Sequence, residues 1–238
     1  MDSPRMIIFD YGQTLVCERQ PFDGVAGNAA LLAHAVENPR GITPQQMRAE
    51  EEKARAAMGQ NDPAARLALP LEIHHHVFQR FFFDYLGLKL DLTPDEAERA
   101  YWDAAAPGIP APGIEKLLDL LAARGIRTGV ISNLTFSGAT LKARIDRLLP
   151  NHRFEFILAS SEYVFRKPSP YLFTLALNKA ELPAKDIWFC GDNFAADIEG
   201  AAAVGMFPVW YKDAAPPRPV AFDYLHIKSW DELAAKLK

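Results

Sequence analysis

Residues 127–132 read Arg-Thr-Gly-Val-Ile-Ser, residues 154–160 Phe-Glu-Phe-Ile-Leu-Ala-Ser, residues 187–191 Ile-Trp-Phe-Cys-Gly and residues 207–211 Phe-Pro-Val-Trp-Tyr. Each run is short and almost continuously apolar, as a strand buried on both faces of a sheet must be. Amphipathic stretches separate them at Gly138–Leu149, Ser169–Ala180 and Ala195–Val204. A further helix, Gly113–Ala123, precedes the first strand and is stopped by Arg124-Gly125. Strand–helix–strand alternation at this spacing implies parallel βαβ units, hence an α/β fold with a Rossmann-like, doubly wound parallel sheet. Met6–Asp10 (MIIFD) is one more strand of this kind, far upstream.

The stretch between differs. Residues 17–108 show no strand pattern, and helices are expected at Ala26–Val36, Pro44–Met58 and Leu71–Leu86. Thr43-Pro44 and Thr93-Pro94 are N-cap plus first-turn proline signals. Asn61-Asp62-Pro63 and Ala106-Pro107-Gly108 punctuate the stretch. The expected organisation is a core domain of residues 1–16 and 109–238, interrupted by an all-helical domain at 17–108.

Composition narrows the function classes. Hydrophobic residues make up 49% and charged residues 24%, which excludes disordered, collagen-like and coiled-coil chains. No apolar run approaches the ~20 residues of a membrane span, and the N-terminus carries no basic segment followed by an apolar one, so neither a membrane nor a secretory route is expected. The net charge of −4 is spread along the chain and argues against a nucleic-acid partner. The basic group Lys142, Arg144, Arg147, His152 and Arg153 reads as a solvated helix face. Cys17 and Cys190 lie far apart in unlike contexts, which suits a reducing cytoplasm better than a disulfide.

Ligands of open parallel sheets bind beyond the carboxyl ends of the strands. There this chain places Asp10-Tyr11-Gly12-Gln13-Thr14, Ser132-Asn133, Arg166-Lys167-Pro168 and Gly191-Asp192, with Asp197 five residues past Asp192. Carboxylates gathered closely need a cation between them, and an oxygen-only ligand set favours Mg²⁺. The metal lets a carboxylate attack an anionic phosphoryl group, while the Ser132 hydroxyl and Lys167 ammonium hold its oxygens.

These residues resemble the motifs of the haloacid dehalogenase superfamily: FDYGQT, ISN, RKP and GDNFAAD, in the family's order and across the whole α/β portion. The resemblance implies Asp10 as the nucleophile that forms an aspartyl intermediate. It implies Ser132, Asn133 and Lys167 around the transferring group, with Lys167 tethering nucleophile and substrate. Asp10, the Gly12 carbonyl, Asp192 and Asp197 would hold Mg²⁺, and Thr14 would close the first loop. The helical insertion would be a cap that covers the site and selects a small phosphorylated substrate.

One position departs from the pattern. Phosphatases of this family carry a second Asp, a general acid and base, where this chain has Gly12. Gln13 cannot replace it, because an amide does not titrate. Three readings stay open: a phosphatase preferring good leaving groups, a phosphonatase-like C–P hydrolase using Lys53 as its imine-forming lysine, and a non-catalytic phosphate- and metal-binding module. The missing proton could come from His34 or from one of His74, His75 and His76, which cannot all converge on one ion if they follow one another along a helix. The aromatic run Phe78, Phe81, Phe82, Phe83 and Tyr85 packs the core or lines an apolar part of the pocket.

Overall fold

A computed structural model describes residues 3–59, 62, 64, 68 and 70–237 of the 238-residue chain. Its centre is a six-stranded, all-parallel sheet. The strands are β1 (Met6–Phe9), β6 (Arg127–Ser132), β7 (Phe154–Ala159), β8 (Ile187–Gly191), β9 (Phe207–Tyr211) and β10 (Leu225–Ile227), in the order β10-β9-β8-β1-β6-β7. β1 lies in the middle, with every side chain fully buried. Its alternation divides the interior in two. Ile7 and Phe9 face a core with Ile114, Leu117, Leu121, Trp230 and Leu233. Met6 and Ile8 face another, with Leu172, Phe173, Ala176 and Ala201. Apolar side chains on both faces of one strand require helices on both, which is the doubly wound arrangement.

Those helices are α5 (Ile114–Ala123), α6 (Gly138–Leu148), α7 (Ser160–Tyr163), α8 (Pro170–Ala180), α9 (Gly200–Ala203) and α10 (Trp230–Lys236). β10 and α10 went unread in the sequence, because three strand residues and seven helical ones are too few to set up a period. The expected helix over Ala195–Val204 begins instead as a π-helical turn, Phe194–Glu199, capped by the Asn193 side chain, which accepts from the Ala196 N–H. Gly125, at φ +67°, ends α5 as the sequence expectation required.

The described residues between β2 (Val16–Glu18) and β5 (Gly108–Pro110) include four helices: α1 (Gly24–Leu32), α2 (Pro44–Ala57), α3 (His75–Leu86) and α4 (Pro94–Ala105). It is not strand-free. β2 and β5 pair antiparallel where the chain leaves and re-enters the sheet layer, and β3 (Ala35–Glu37) pairs with β4 (Lys89–Leu90). Ladders of two or three residues are too short to show alternation. α1 starts before Ala26 because Asp23 accepts from the Val25 and Ala26 N–H groups, and it stops at Leu32, leaving Val36 in β3. α3 begins at His75, since His74 is its N-cap and Leu71 instead bridges to Phe165. Both Thr-Pro signals close capping boxes, with Gln46 on α2 and Glu96 on α4. Asn61 and Pro63 of the expected turn lie outside the described residues. No helix among the described residues is long and apolar enough to cross a membrane. Both cysteines are free.

Candidate active site

β8, β1 and β6 are adjacent, so their carboxyl ends bring Asp192, Asp10 and Ser132 to one edge. The Asp10 N–H donates to the Cys190 carbonyl at 2.8 Å, which continues the ladder one residue past β1 and fixes where its side chain emerges. Beyond it the chain folds back: the Leu15 and Val16 N–H groups donate to the Tyr11 carbonyl, and Gln13 takes a left-handed φ of +56°. Asp197 enters from the π-helical turn and accepts from the Asn193 N–H at 2.9 Å. Asp10, Asp192 and Asp197 each offer an oxygen, and these oxygens lie within 4.8 Å of one another.

Lys167 stands among them. Its Nζ lies 2.7 Å from Asp10 Oδ1 and 2.7 Å from Asp197 Oδ1, and donates to the Ile131 carbonyl at 2.9 Å. Asn133 holds the loop that carries it, accepting from the Lys167 N–H at 2.7 Å and donating to the Lys167 carbonyl at 2.8 Å. Expected to touch substrate, Asn133 thus has both ends of its amide committed to placing Lys167. Lys212 pairs with Asp192 at 2.8 Å.

Burial pushes the Asp10 carboxyl up to about 7; Lys167 opposes this, and crowding by Asp197 and Asp192 adds to it. Asp197 is raised for the same first reason, burial, again against Lys167. Burial works against the Lys167 charge, but Asp10 and Asp197 outweigh it and hold its pKa above the ordinary value. Three carboxylates so close, two of them buried and sharing a single buried ammonium, are a donor set that fits a hard divalent cation. Gly12 borders the same cavity.

The cavity above this cluster measures about 670 Å³ and is bounded by strand-end residues on one side and helical residues on the other. Ser132, Lys167, Asn133 and all three aspartates line its floor. Trp102 and Phe136, stacked with centroids 4.4 Å apart, form a side wall. Arg48, Glu51, Arg55 and Tyr101 also line the cavity, none of which the sequence reading singled out. Arg48, Glu51 and Arg55 follow a 3-then-4 spacing on one face of α2, the same pattern as an ordinary solvated ion-pair run.

The structure decides several readings that the sequence left open. None of His34, His74, His75 and His76 lines the cavity. His34 pairs with Asp91 at 3.0 Å, and His74 caps α3. His75 is buried against Phe136, and burial pushes its pKa well below the ordinary value. Lys53 is 72% exposed, pairs with Glu50 at 2.7 Å and does not border the cavity. Phe78 and Phe82 are core residues; Phe81 and Tyr85 stack on each other at the surface, and none of the four reaches the cavity. Arg144, expected on a solvated face, is 4% exposed. It donates to the Tyr11 hydroxyl at 2.9 Å, to Asp103 at 2.6 Å and to the Ala106 carbonyl, because its face of α6 turns toward α4.

Known proteins resemble this chain in sequence and in fold. A glyceraldehyde 3-phosphate phosphatase of Pyrococcus abyssi is 35% identical over 144 residues, a match covering 55% of this chain and 56% of that protein. The chain thus spans little more than half the length of this curated relative. A 2-haloacid dehalogenase of Pseudomonas syringae superposes with a TM-score of 0.65 at 22% identity, over 98% of this chain and 97% of that one. A phosphatase from Thermococcus onnurineus does so with a TM-score of 0.62 at 20% identity, over 98% and 97%. At such identities the likeness speaks for the fold alone. The family model for haloacid dehalogenase-like hydrolases, however, matches residues 4–205, strand ends and helical insertion together, and the chain belongs to that family.

Proposed function

We propose that the protein is a Mg²⁺-dependent phosphatase of small phosphorylated metabolites, working through an aspartyl-phosphate on Asp10. The observation that carries this reading is the cluster of Asp10, Asp192 and Asp197 oxygens within 4.8 Å on the floor of a cavity large enough for a small metabolite. The phosphatase relative, whose substrate by name is glyceraldehyde 3-phosphate, supports the reaction class.

Asp10, Asp192, Asp197 and the Gly12 carbonyl would hold the metal, which when bound offsets the charge of the phosphoryl oxygens facing Asp10. An Asp10 oxygen attacks phosphorus and the ester oxygen leaves; water then cleaves the acyl-phosphate bond and frees Asp10. Lys167, fixed by Asn133, orients Asp10 and stabilises charge on the transferring group, with Ser132 beside it. Residues 17–108 serve as the cap, and residues 1–16 and 109–238 as the catalytic domain. With Gly12 in place of an acid, esters whose leaving groups depart unprotonated, such as aryl and acyl phosphates, are preferred.

The position of Lys53 favours ester hydrolysis over an imine-based C–P cleavage. A phosphatase panel with and without Mg²⁺, run on the wild type and on Asp10→Asn, tests the assignment. Mg²⁺-dependent turnover lost in Asp10→Asn is expected. Equal turnover by both proteins removes Asp10 from the reaction, and Mg²⁺-dependent phosphate binding with no turnover makes the chain a binding module instead.

A further inference from the structure

Between α2 and α3 the helical insertion is bonded to the loops that carry Lys167 and Ser132. Leu71 bridges antiparallel to Phe165. The Arg166 N–H donates to the Pro70 carbonyl at 2.8 Å, and the Glu72 N–H to the Val164 carbonyl at 2.6 Å. A few residues on, the His75 N–H donates to the Thr135 carbonyl at 2.8 Å.

Glu72 stands at the centre of this contact. Its side chain is 1% exposed, and it accepts from the Arg166 guanidinium at 2.7 Å and from the Ser160 hydroxyl at 2.9 Å. Ser160, fully buried, accepts in turn from the Leu134 N–H at 2.9 Å. Arg166 directly precedes Lys167, and Leu134 directly follows Asn133. Through one residue each way, the Glu72 carboxylate therefore reaches the loop after β6 and the loop that carries Lys167. Asn133 grips the latter loop from one side, and the insertion grips it from the other.

Val164, whose carbonyl takes the Glu72 N–H, has a left-handed φ of +68° that a β-branched residue rarely adopts. Such backbone persists only where its surroundings fix it. A buried carboxylate–guanidinium pair is a poor source of stability, because desolvation offsets the attraction. Its charge-assisted hydrogen bonds are short and directional, so what it supplies is geometry. Geometry matters to the reaction, since a displacement of ~1 Å caused far from the chemistry can lower a rate by ~10²-fold.

We propose that Glu72 is a positioning residue of the transfer reaction, holding the Arg166–Lys167 and Ser132–Leu134 segments in their places under the substrate. The helical insertion is then part of the support of the catalytic floor as well as a neighbour of the cavity. This rests on the phosphatase reading above and extends its machinery to a residue outside the strand-end motifs.

Hydrolysis of p-nitrophenyl phosphate with Mg²⁺ by Glu72→Ala, Glu72→Gln and Glu98→Ala, each below its unfolding midpoint, tests it. Glu98 is another buried acid of the insertion, bonded to Ser137, and does not border the cavity, so it reports a merely structural loss. Glu72→Ala is expected to lower kcat by about tenfold or more, and Glu72→Gln, which still accepts from Ser160, by about threefold. Glu98→Ala keeps kcat within about twofold of the wild type, because it places no reacting group. An unchanged kcat in Glu72→Ala, or equal losses in Glu72→Ala and Glu98→Ala, overturns the proposal. If Glu72→Ala does not fold, Glu72→Gln decides, and a wild-type kcat there overturns it. A wild type without Mg²⁺-dependent turnover removes the phosphatase reading instead. The proposal is then judged by calorimetry with inorganic phosphate and Mg²⁺: affinity lost in Glu72→Ala and kept in Glu98→Ala upholds the placement of Lys167 and Ser132, and equal affinities, or no binding by the wild type, overturn it.

Discussion

At Gly12 an added Cβ would meet nothing within 4 Å, and the backbone there is not left-handed. The position is chemically empty without being sterically closed. Gly12→Asp therefore places a carboxyl at the edge of the cavity, where a leaving oxygen needs a proton. General acid catalysis contributes ~10²–10⁴-fold in rate, so the variant is expected to raise kcat on alkyl phosphates by about tenfold or more, with little gain on p-nitrophenyl phosphate. Steady-state kinetics on both esters decides it, and equal gains on the two would show that the carboxyl acts otherwise than as an acid. Lys167 presents the opposite case, one cation serving two buried acids. Removing it as Lys167→Met leaves Asp10 and Asp197 facing each other without a counter-charge. Breaking a buried pair typically costs ~3–5 kcal/mol, so unfolding in a chelator should fall by several degrees and Mg²⁺ should recover part of the loss. A variant as stable as the wild type in chelator would mean that the acids do not depend on Lys167.

Between elements, one of the contacts that tie the helical insertion to the sheet layer is fully buried. Glu98 on α4, fully buried, accepts from the Ser137 N–H at 3.0 Å and from its hydroxyl, and Ser137 is the N-cap of α6. Replacing Glu98 with Ala strands a buried donor, a loss of ~1–3 kcal/mol, and should lower the unfolding midpoint without changing the secondary structure seen by circular dichroism. At the end of β8, a Cβ on Gly191 would sit 2.4 Å from the Asp197 carboxyl group, so only glycine leaves that side chain its place. These two contacts also show where the sequence was readable. The strand ends were legible because buried parallel strands are continuous apolar runs, and polar residues mark where they stop. Glu98 and the arginines of α2 were not, because a charged residue at helical spacing looks the same whether it faces solvent or a cavity. The three histidines misled for a local reason: an N-cap breaks the helix at His74, a boundary set by hydrogen bonds rather than by side-chain pattern.

Across the whole molecule, residues far apart in a long chain converge: Asp10 just past the first strand of the six-stranded sheet, and Asp192 and Asp197 beyond β8, its fourth strand in chain order. That convergence concentrates negative charge in the folded state and disperses it in the unfolded chain. A divalent cation should then bind the native state alone and stabilise it by mass action. At a Mg²⁺ concentration of 100 times the dissociation constant the gain is ~2.7 kcal/mol. For a chain of this length, about 2–4 °C accompanies each kcal/mol, so the unfolding midpoint should rise by roughly 5–10 °C on titration from chelator into Mg²⁺. Asp192→Asn removes one of the three charges at the half-buried corner of the site and should abolish most of that rise while leaving the chelator midpoint nearly unchanged. Na⁺ at matched ionic strength should not substitute, since screening acts on all surface charge and a coordinated site does not. A rise of equal size in Asp192→Asn, or one reproduced by Na⁺, would place the cation's effect elsewhere on the surface and deprive the three carboxylates of their common purpose.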